Sequence, residues 1–360
     1  MVTVLSTTQG LGHGAETVLC EMLGAWPGDD GMPLRIAAPR GSRVIACAAK
    51  RGFATVPLAS RHDALADNAT AVLRAFGRND DLSLVHAWSA RGFELAWFLK
   101  FRFGIPASGT LHDHPQACFH GVSRKLIMKW AANRLDGLVV VSRAVADAVA
   151  ESSWEVPTTT VKNGIRALPV PRSTPAAKTR IGFLGMNAPG KGIRLVCDWI
   201  RETASDDNIT WHLYGDVYPG AGRILDALPA YCRAKCNFKG RRAPEKIFSE
   251  IDLLLHASTA FDSLPTVLIE AARAGIPCVA SSLGGAPEIV DHGKTGFLFD
   301  PSSPQEGLAA LTNLVADTNL RFAMGTASRR RFEDHFDADG MAAGYQRFWA
   351  QLLEKQMDKG

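Results

Sequence analysis

The residues best suited to chemistry lie in one segment, HASTAFDSLPTVLIEAARAGIPCVASSLGGAPEIVDHGKTGFLF, residues 256–299. A strand is expected to end near Ser258, a loop of small residues to reach Asp262, and a helix to open at about Pro265, whose fixed φ suits a first turn. Leu264, Pro265, Thr266 and Val267 would then place helix N-terminal amides where they can hold a diphosphate. Glu270 is more than a turn inside the helix, too deep for a cap, and is placed to accept hydrogen bonds from ribose hydroxyls. Asp262, on the loop, would face a sugar.

A second glycine-rich turn follows the first strand, running Gly10, Leu11, Gly12, His13, Gly14, Ala15, Glu16 into a helix. Glycines there let the backbone approach a phosphate closely. The same residues fit a dinucleotide fingerprint, which needs an acidic residue at the end of the second strand to hold a ribose. That strand ends in Ala37, Ala38, Pro39 and Arg40, so a nicotinamide cofactor is disfavoured. His112, Asp113 and His114 have the composition of a metal triplet, but consecutive side chains on an extended segment alternate in direction. Cys232 and Cys236 are close, with no second pair and no nearby histidine to complete a zinc site. Asp80, Asp81, Asp206 and Asp207 read as turn residues. His13 and His86 fit a packed role as well as a catalytic one, and Glu288 fits an early-turn acid as well as a ligand. Trp88, Trp97, Phe98 and Phe101, at helical spacings, read as core.

Short β-branched runs alternate with amphipathic stretches along the chain, a βαβ rhythm. VTVLS, LRIAAP, LSLVHAW, PASGTLH, LDGLVVVS (135–142) and TTTVKNGI (158–165) read as strands, with helices expected over 15–26, 92–103 and 143–152. Pro157, Pro169, Pro171 and Pro175 then punctuate an aperiodic stretch, the best linker in the chain. The rhythm restarts with TRIGFLG, a helix over 192–204, ITWHLYG, KCNFKG, DLLLHAS, the helix at Pro265, IPCVASS and GFLF, and closes with helices over 305–316, 319–333 and 338–355. The expected fold is α/β, two tandem Rossmann-like doubly wound domains: 1–168, a linker at 169–177, and 178–337. A last helix, 338–360, is expected to cross back to the first domain. Such sheets bind ligands beyond the carboxyl ends of their strands, so a cleft between the domains is the expected site.

At 360 residues with 46% hydrophobic and 21% charged, the chain is too long for one ordinary core and too apolar for disorder. It contains no long uncharged apolar run, and MVTVLSTTQG lacks the features of a signal peptide, so a cytoplasmic protein is expected, peripheral at most to the inner membrane face. The seven cysteines suit a reducing compartment. The net charge of +4 is uneven: residues 1–168 carry 18 Lys and Arg against 14 Asp and Glu, and the remainder balances. That asymmetry fits an anionic or membrane-associated partner of the first domain. No basic run interleaved with aromatics points to nucleic acid. Arg124 to Trp130 alternates cations with apolar residues, as an interfacial helix does, or as an ordinary amphipathic helix does.

An acid followed after seven residues by a glutamate, then EAxxxGxPxVAS, a GG turn, PEIV, HG and TGFL, resembles the retaining glycosyltransferases of the GT-B fold, family 4 type. Asp262, Pro265, Glu270, Ala271, Gly275, Pro277, Gly284, Gly285, Pro287, Glu288, Gly293 and Gly296 match position by position. Gly10 to Glu16 is similar to the family's glycine loop, including Gly12 and Gly14 beside the donor diphosphate. His112 falls at the family's active-site histidine, Asn163 and Gly164 at the NG ending the first domain, and Gly185, Lys191 and Gly192 at a phosphate-neutralising loop. Gly215 and Asp216 match the GDG turn, and Phe238 to Gly240, with Arg241 after it, the strand end beside the base. Two positions depart from the family: Asp262 stands where glutamate is usual, and Met186 where one of two phosphate cations is usual. Losing a positioned cation could cost about 3–4 kcal/mol of transition-state stabilisation. Arg194, Arg241 and Arg242 are the nearby substitutes.

The resemblance implies transfer of a sugar from a nucleotide diphosphate sugar to a hydroxyl acceptor without metal or cofactor, with His112, Asp262 and Lys191 at the reacting centre. Donor binding falls mainly to the second domain and acceptor binding to the first. Two alternatives stay open: a nucleotide-sugar epimerase of related fold, and a degenerate member that binds without turnover.

Overall fold

The computed structural model describes residues 1–7, 14–28, 32–59, 65–75, 83–117, 121–167, 169, 177–185 and 188–358. Expectations on Gly10, Leu11, Gly12, His13, Asp80, Asp81, Cys118, Met186 and most of 169–177 lie outside them. The chain divides into two compact units, Met1–Arg166 with Asp337–Gly360, and Ala167–Phe336.

The first unit holds strands β1 (Val2–Leu5), β2 (Leu34–Pro39), β3 (Ala54–Leu58), β4 (Leu84–Ala87), β5 (Ala107–Leu111), β6 (Gly137–Val140) and β7 (Thr158–Thr160). They pair in parallel in the order β3-β2-β1-β4-β5-β6-β7. Helices α1 (Gly14–Ala25), α2 (Arg43–Lys50), α3 (Leu65–Ala75), α4 (Phe93–Phe103), α5 (Val122–Ala132) and α6 (Arg143–Glu151) supply the crossovers. β3, with α2 and α3, fills the stretch between β2 and β4. Pro57 confines β3 to the sheet edge, because it cannot donate to a second neighbour. The strand expected over 158–165 ends at Thr160, and the chain then turns to meet the C-terminal helix.

The second unit holds β8 (Thr179–Leu184), β9 (Ile209–Tyr214), β10 (Cys236–Gly240), β11 (Leu253–His256), β12 (Cys278–Ser281) and β13 (Gly296–Phe299), in the order β10-β9-β8-β11-β12-β13. Its helices are α7 (Ile193–Glu202), α8 (Pro219–Asp226), α9 (Ala230–Arg233), α10 (Pro244–Ser249), α11 (Thr266–Ala274), α12 (Ala286–Ile289), α13 (Pro304–Ala316) and α14 (Thr318–His335). Both sheets therefore have the doubly wound order, which reverses direction between β1 and β4 in one and between β8 and β11 in the other. The central strands are buried on both faces, as their β-branched and leucine runs require. Arg180 pins the far end of β8 to β11, pairing with Asp252 at 2.8 Å.

The last helix, α15 (Ala338–Met357), packs against α1 in the first unit: Tyr345, Phe348, Trp349 and Leu352 join its core, and Trp349 meets Trp26 at 5.4 Å between centroids. Gly164 permits the crossing, since a Cβ there would sit 2.0 Å from the Asp337 carbonyl oxygen. The expectation that Trp97, Phe98 and Phe101 are core is corrected: Trp97 and Phe98 are half-buried and Phe101 is 74% exposed, because α4 turns its carboxyl end away from the sheet. Trp88 is core, and so is His86, whose ring nitrogens lie 2.9 Å from Ser108 Oγ and 2.8 Å from Thr110 Oγ1.

Candidate functional site

In the second unit the loops that leave β8 and β11 diverge at the point where strand order reverses, the usual place for a ligand crevice. The β8 loop passes Gly185 and makes a single 3-10 turn over Pro189–Lys191, and the β11 loop runs to Asp262. Their side chains meet, with Lys191 Nζ donating to Asp262 Oδ2 at 2.5 Å. The loops are laced together by backbone: the Gly190 carbonyl accepts from Thr259 N at 2.8 Å and from Ser258 Oγ at 3.0 Å. Glycine is required where they touch. At Gly192, with φ of 83°, a Cβ would lie 1.8 Å from the Ala257 carbonyl oxygen. The Gly284–Gly285 turn clasps the acid loop from the other side, its Gly285 amide donating to the Asp262 carbonyl at 2.8 Å.

This setting controls charge. Burial alone raises the Asp262 carboxyl, but His256 and Lys191 beside it outweigh that effect and hold it at about 2. Asp262 is thus an anion at neutral pH, 18% exposed, and able to keep Lys191 oriented. His256 is the residue that sequence reasoning missed. It ends β11, is buried, and holds Nε2 3.6 Å from Asp262 Oδ2, while neither ring nitrogen hydrogen-bonds any described group. Its place in the apolar run LLLH gave one signal, a polar side chain at the carboxyl end of a buried strand.

Helix α11 opens beside the pair. Pro265 is the N-cap and not, as expected, the first helical residue, and no side chain caps the end. The amides of Thr266 and Val267 have no intrahelical acceptor at this terminus, so they carry the positive end of the helix dipole. Leu264 and Pro265 are buried and hold the turn, while Glu270, half-buried, lies one turn beyond Thr266 on the same face. From behind, α14 braces this helix: Arg329 donates to the Arg273 carbonyl, and Gly325 packs so closely that a Cβ on it would fall 2.2 Å from the Gly275 carbonyl oxygen. Arg331 likewise ties down the Glu288 and Ile289 carbonyls at 2.8 Å.

The remaining residues of the second unit form a looser group. Gly185 is buried, and a Cβ there would press within 2.7 Å of the Lys191 side chain. Gly240 ends β10 with φ of 61°, and its carbonyl accepts from Gly215 N at 3.0 Å. Arg241 is exposed and lies 3.6 Å from Asp216, so part of its charge is already answered. Arg194 is exposed on the first turn of α7, and Arg242 donates to the Arg241 carbonyl. The structure therefore brings together Lys191, Asp262, Gly185 and the start of α11.

His112 and Gly14 belong to the first unit. Gly14 opens α1, and Ala15, next to it, accepts a 2.8 Å hydrogen bond from Trp88 Nε1. His112 follows β5 and lies 5.3 Å from the Trp88 ring. Burial pushes its imidazole down to about 4, and a hydrogen bond to the Trp88 backbone offsets this only in part. It is a neutral imidazole at pH 7, suited to hydrogen bonding with hydroxyls and unsuited to neutralising phosphate. Asp113 beside it is exposed, and His114 Nδ1 accepts from the Gln116 amide at 3.1 Å.

Residues 178–317 match the family profile described as glycosyl transferases group 1, and residues 12–167 the profile described as glycosyltransferase family 4. A GDP-mannose-dependent alpha-(1-6)-phosphatidylinositol monomannoside mannosyltransferase of Mycobacterium tuberculosis is 29% identical over 169 residues, which are 47% of this chain but only 40% of that protein. D-inositol 3-phosphate glycosyltransferase of Corynebacterium jeikeium is 25% identical over 324 residues, 79% of this chain and 76% of its own. Among solved structures, Anabaena Alr3699/HepE in complex with UDP matches with a TM-score of 0.82 at 20% identity, covering 97% of this chain and 99% of that one, which shows the shared GT-B fold. With both profiles placed on the two doubly wound units, the chain belongs to the family 4, group 1 glycosyltransferases.

Proposed function

We propose that the protein is a retaining transferase that moves a sugar from a nucleotide diphosphate sugar to a hydroxyl acceptor, and that it does so without a metal. The observation that carries this reading is the Lys191–Asp262 pair at the mouth of α11, with Glu270 one turn inside. An incoming diphosphate would take Lys191's remaining ammonium hydrogens and the amides of Thr266 and Val267, while Glu270 accepts from the ribose hydroxyls. Asp262 then orients the sugar, and His112 holds its hydroxyls as a neutral imidazole. The bond from the anomeric carbon to the diphosphate oxygen breaks, and the bond to the acceptor oxygen forms on the same face. The departing phosphate oxygen takes the acceptor proton, so no side chain acts as nucleophile. Lys191 and the amides stabilise the developing phosphate charge. Gly10, Gly12, Gly14, Gly240 and Arg241 complete the donor contacts in this reading. The acceptor is bound by the first unit and is lipid-linked or otherwise anionic, with the protein working on the cytoplasmic face of a membrane.

The test is a thermal-shift screen with UDP, GDP and ADP and their sugars, since a ligand at about 100 times its Kd stabilises by roughly 2.7 kcal/mol. The stabilising sugar nucleotide is then incubated with candidate acceptors, and the product anomer is read by NMR. Retention of anomeric configuration, with turnover unchanged by EDTA, supports the proposal. Conversion of the donor without acceptor would indicate an epimerase, and binding without any turnover a degenerate member.

A further inference from the structure

Helix α5 is built inside out. Its inward face offers Met128, Ala131 and Ala132 to the core, whereas its larger side chains face solvent, Val122 at 76% exposure and Leu126 at 62% among them. Val122, Leu126 and Trp130 are four residues apart and form one stripe, with Ile127 exposed beside it. The neighbouring α4 ends in exposed Phe101 and Phe103, and the two helices join through Trp97, which stacks on Phe101 at 5.5 Å and meets Trp130 edge-on at 4.3 Å. Scattered exposed apolar residues are ordinary, but six large ones gathered on two adjoining helices are a binding surface.

Its charge says what it binds. Residues 97–134 carry six Lys and Arg against one Asp, a surplus of five where the whole chain has a surplus of four. Lys100 is answered by Asp136 and Arg124 by Glu94, but Arg102, Lys125 and Lys129 make no ion pair among the described residues. Lys125 and Lys129, four apart, run beside the apolar stripe, and Arg134 lies over the Trp130 ring at 4.3 Å. Apolar side chains bordered by lysines, with tryptophans between, match the layering of a bilayer surface: hydrocarbon, then interface, then anionic headgroups. A second copy of the chain is a poor occupant, because two such cationic faces would repel. None of the described helices is long and apolar enough to cross a membrane, so the contact is one of lying on the surface.

We propose that this α4–α5 face docks the protein on an anionic lipid bilayer, with Val122, Leu126 and Phe101 entering the headgroup boundary and Arg102, Lys125 and Lys129 meeting the lipid charges. The inference stands independently of the donor site. The test floats the full chain with vesicles of phosphatidylcholine alone and of phosphatidylcholine with phosphatidylglycerol. Binding is expected only to the anionic vesicles and should be reversed by salt. Lys125→Glu and Lys129→Glu should each weaken it by roughly fivefold or more. Val122→Ser with Leu126→Ser should weaken it by roughly tenfold or more, with thermal melts unchanged because the sites are exposed. The proposal is overturned if the folded protein ignores anionic vesicles, if binding survives the paired serine substitution, or if light scattering shows a dimer that Leu126→Ser converts to monomer.

Discussion

The loops at the carboxyl ends of the two sheets leave strands of one topology and differ in chemistry. In the second unit, β8 and β11 lead to a carboxylate held ionised at about 2, a lysine 2.5 Å from it and an open helix terminus. In the first, β4 and β5 lead to Trp88 and to a histidine whose burial holds it neutral, at about 4. In the proposed reading, one end meets the charge of the donor and the other its neutral hydroxyls. The same doubly wound fold therefore sets no chemistry of its own. What differs is whether the residue after the strand is surrounded by ions or by aromatic rings.

Substitutions should separate the two ends. The largest effect is expected for Lys191→Met, which removes the cation proposed to meet the diphosphate and takes from Asp262 its lysine partner. Turnover should fall by about 10²–10³, with nucleotide affinity falling as well. His112→Ala should cost turnover roughly 10²-fold while sparing nucleotide affinity, because the proposed partners of its imidazole are sugar hydroxyls. Steady-state kinetics with parallel calorimetry reads both. If His112→Ala weakens nucleotide binding as much as Lys191→Met does, the assignment of charge to one end and hydroxyls to the other is wrong.

Acid should also distinguish the units. His112 at about 4 and His86 at about 3, both lowered from 6.5 by burial, contribute stability that is fully present above pH 6.5 and is lost as pH falls toward those values. Asp262, lowered from 3.8 to about 2, contributes stability present above its ordinary value and lost only as pH falls from 3.8 to about 2. Its share is about 2 kcal/mol. Hydrogen exchange, corrected for intrinsic rates, should show β4 and β5 losing protection at milder acidity than β8 and β11. The reverse order would contradict the charge assignments. The smallest effect is expected for His256→Leu: the fold should persist and the Asp262 carboxyl should rise toward its ordinary value, shifting the acid limb of the activity profile upward by less than about one unit.

The tandem rhythm of strands and helices was legible because long periodic segments report their own type. Helices α8, α9 and α10, of four to eight residues, are too short for periodicity to show. β3 was hidden by its proline. Spacing placed Trp97 and Phe101 on a shared helix but could not say that part of that helix faces solvent. In the site, Lys191 was reached only through the family resemblance, whereas Asp262 and Glu270 were readable as types at fixed spacings around a helix start. Their joining across two loops was not, since it depends on close approaches at Gly192, Gly284 and Gly285. His256 escaped because, in sequence, it is one residue of a buried strand, and its carboxylate partner comes six residues later across a turn.

The central claim is that the β8–β11 end of the second unit grips a nucleoside diphosphate. Titration calorimetry of the intact protein with UDP, GDP and ADP tests it, using Glu270→Ala as the comparison. One nucleotide should bind the unaltered protein, and Glu270→Ala should weaken it by roughly tenfold or more, the cost of losing hydrogen bonds to a charged acceptor. Unchanged affinity in Glu270→Ala would contradict the account.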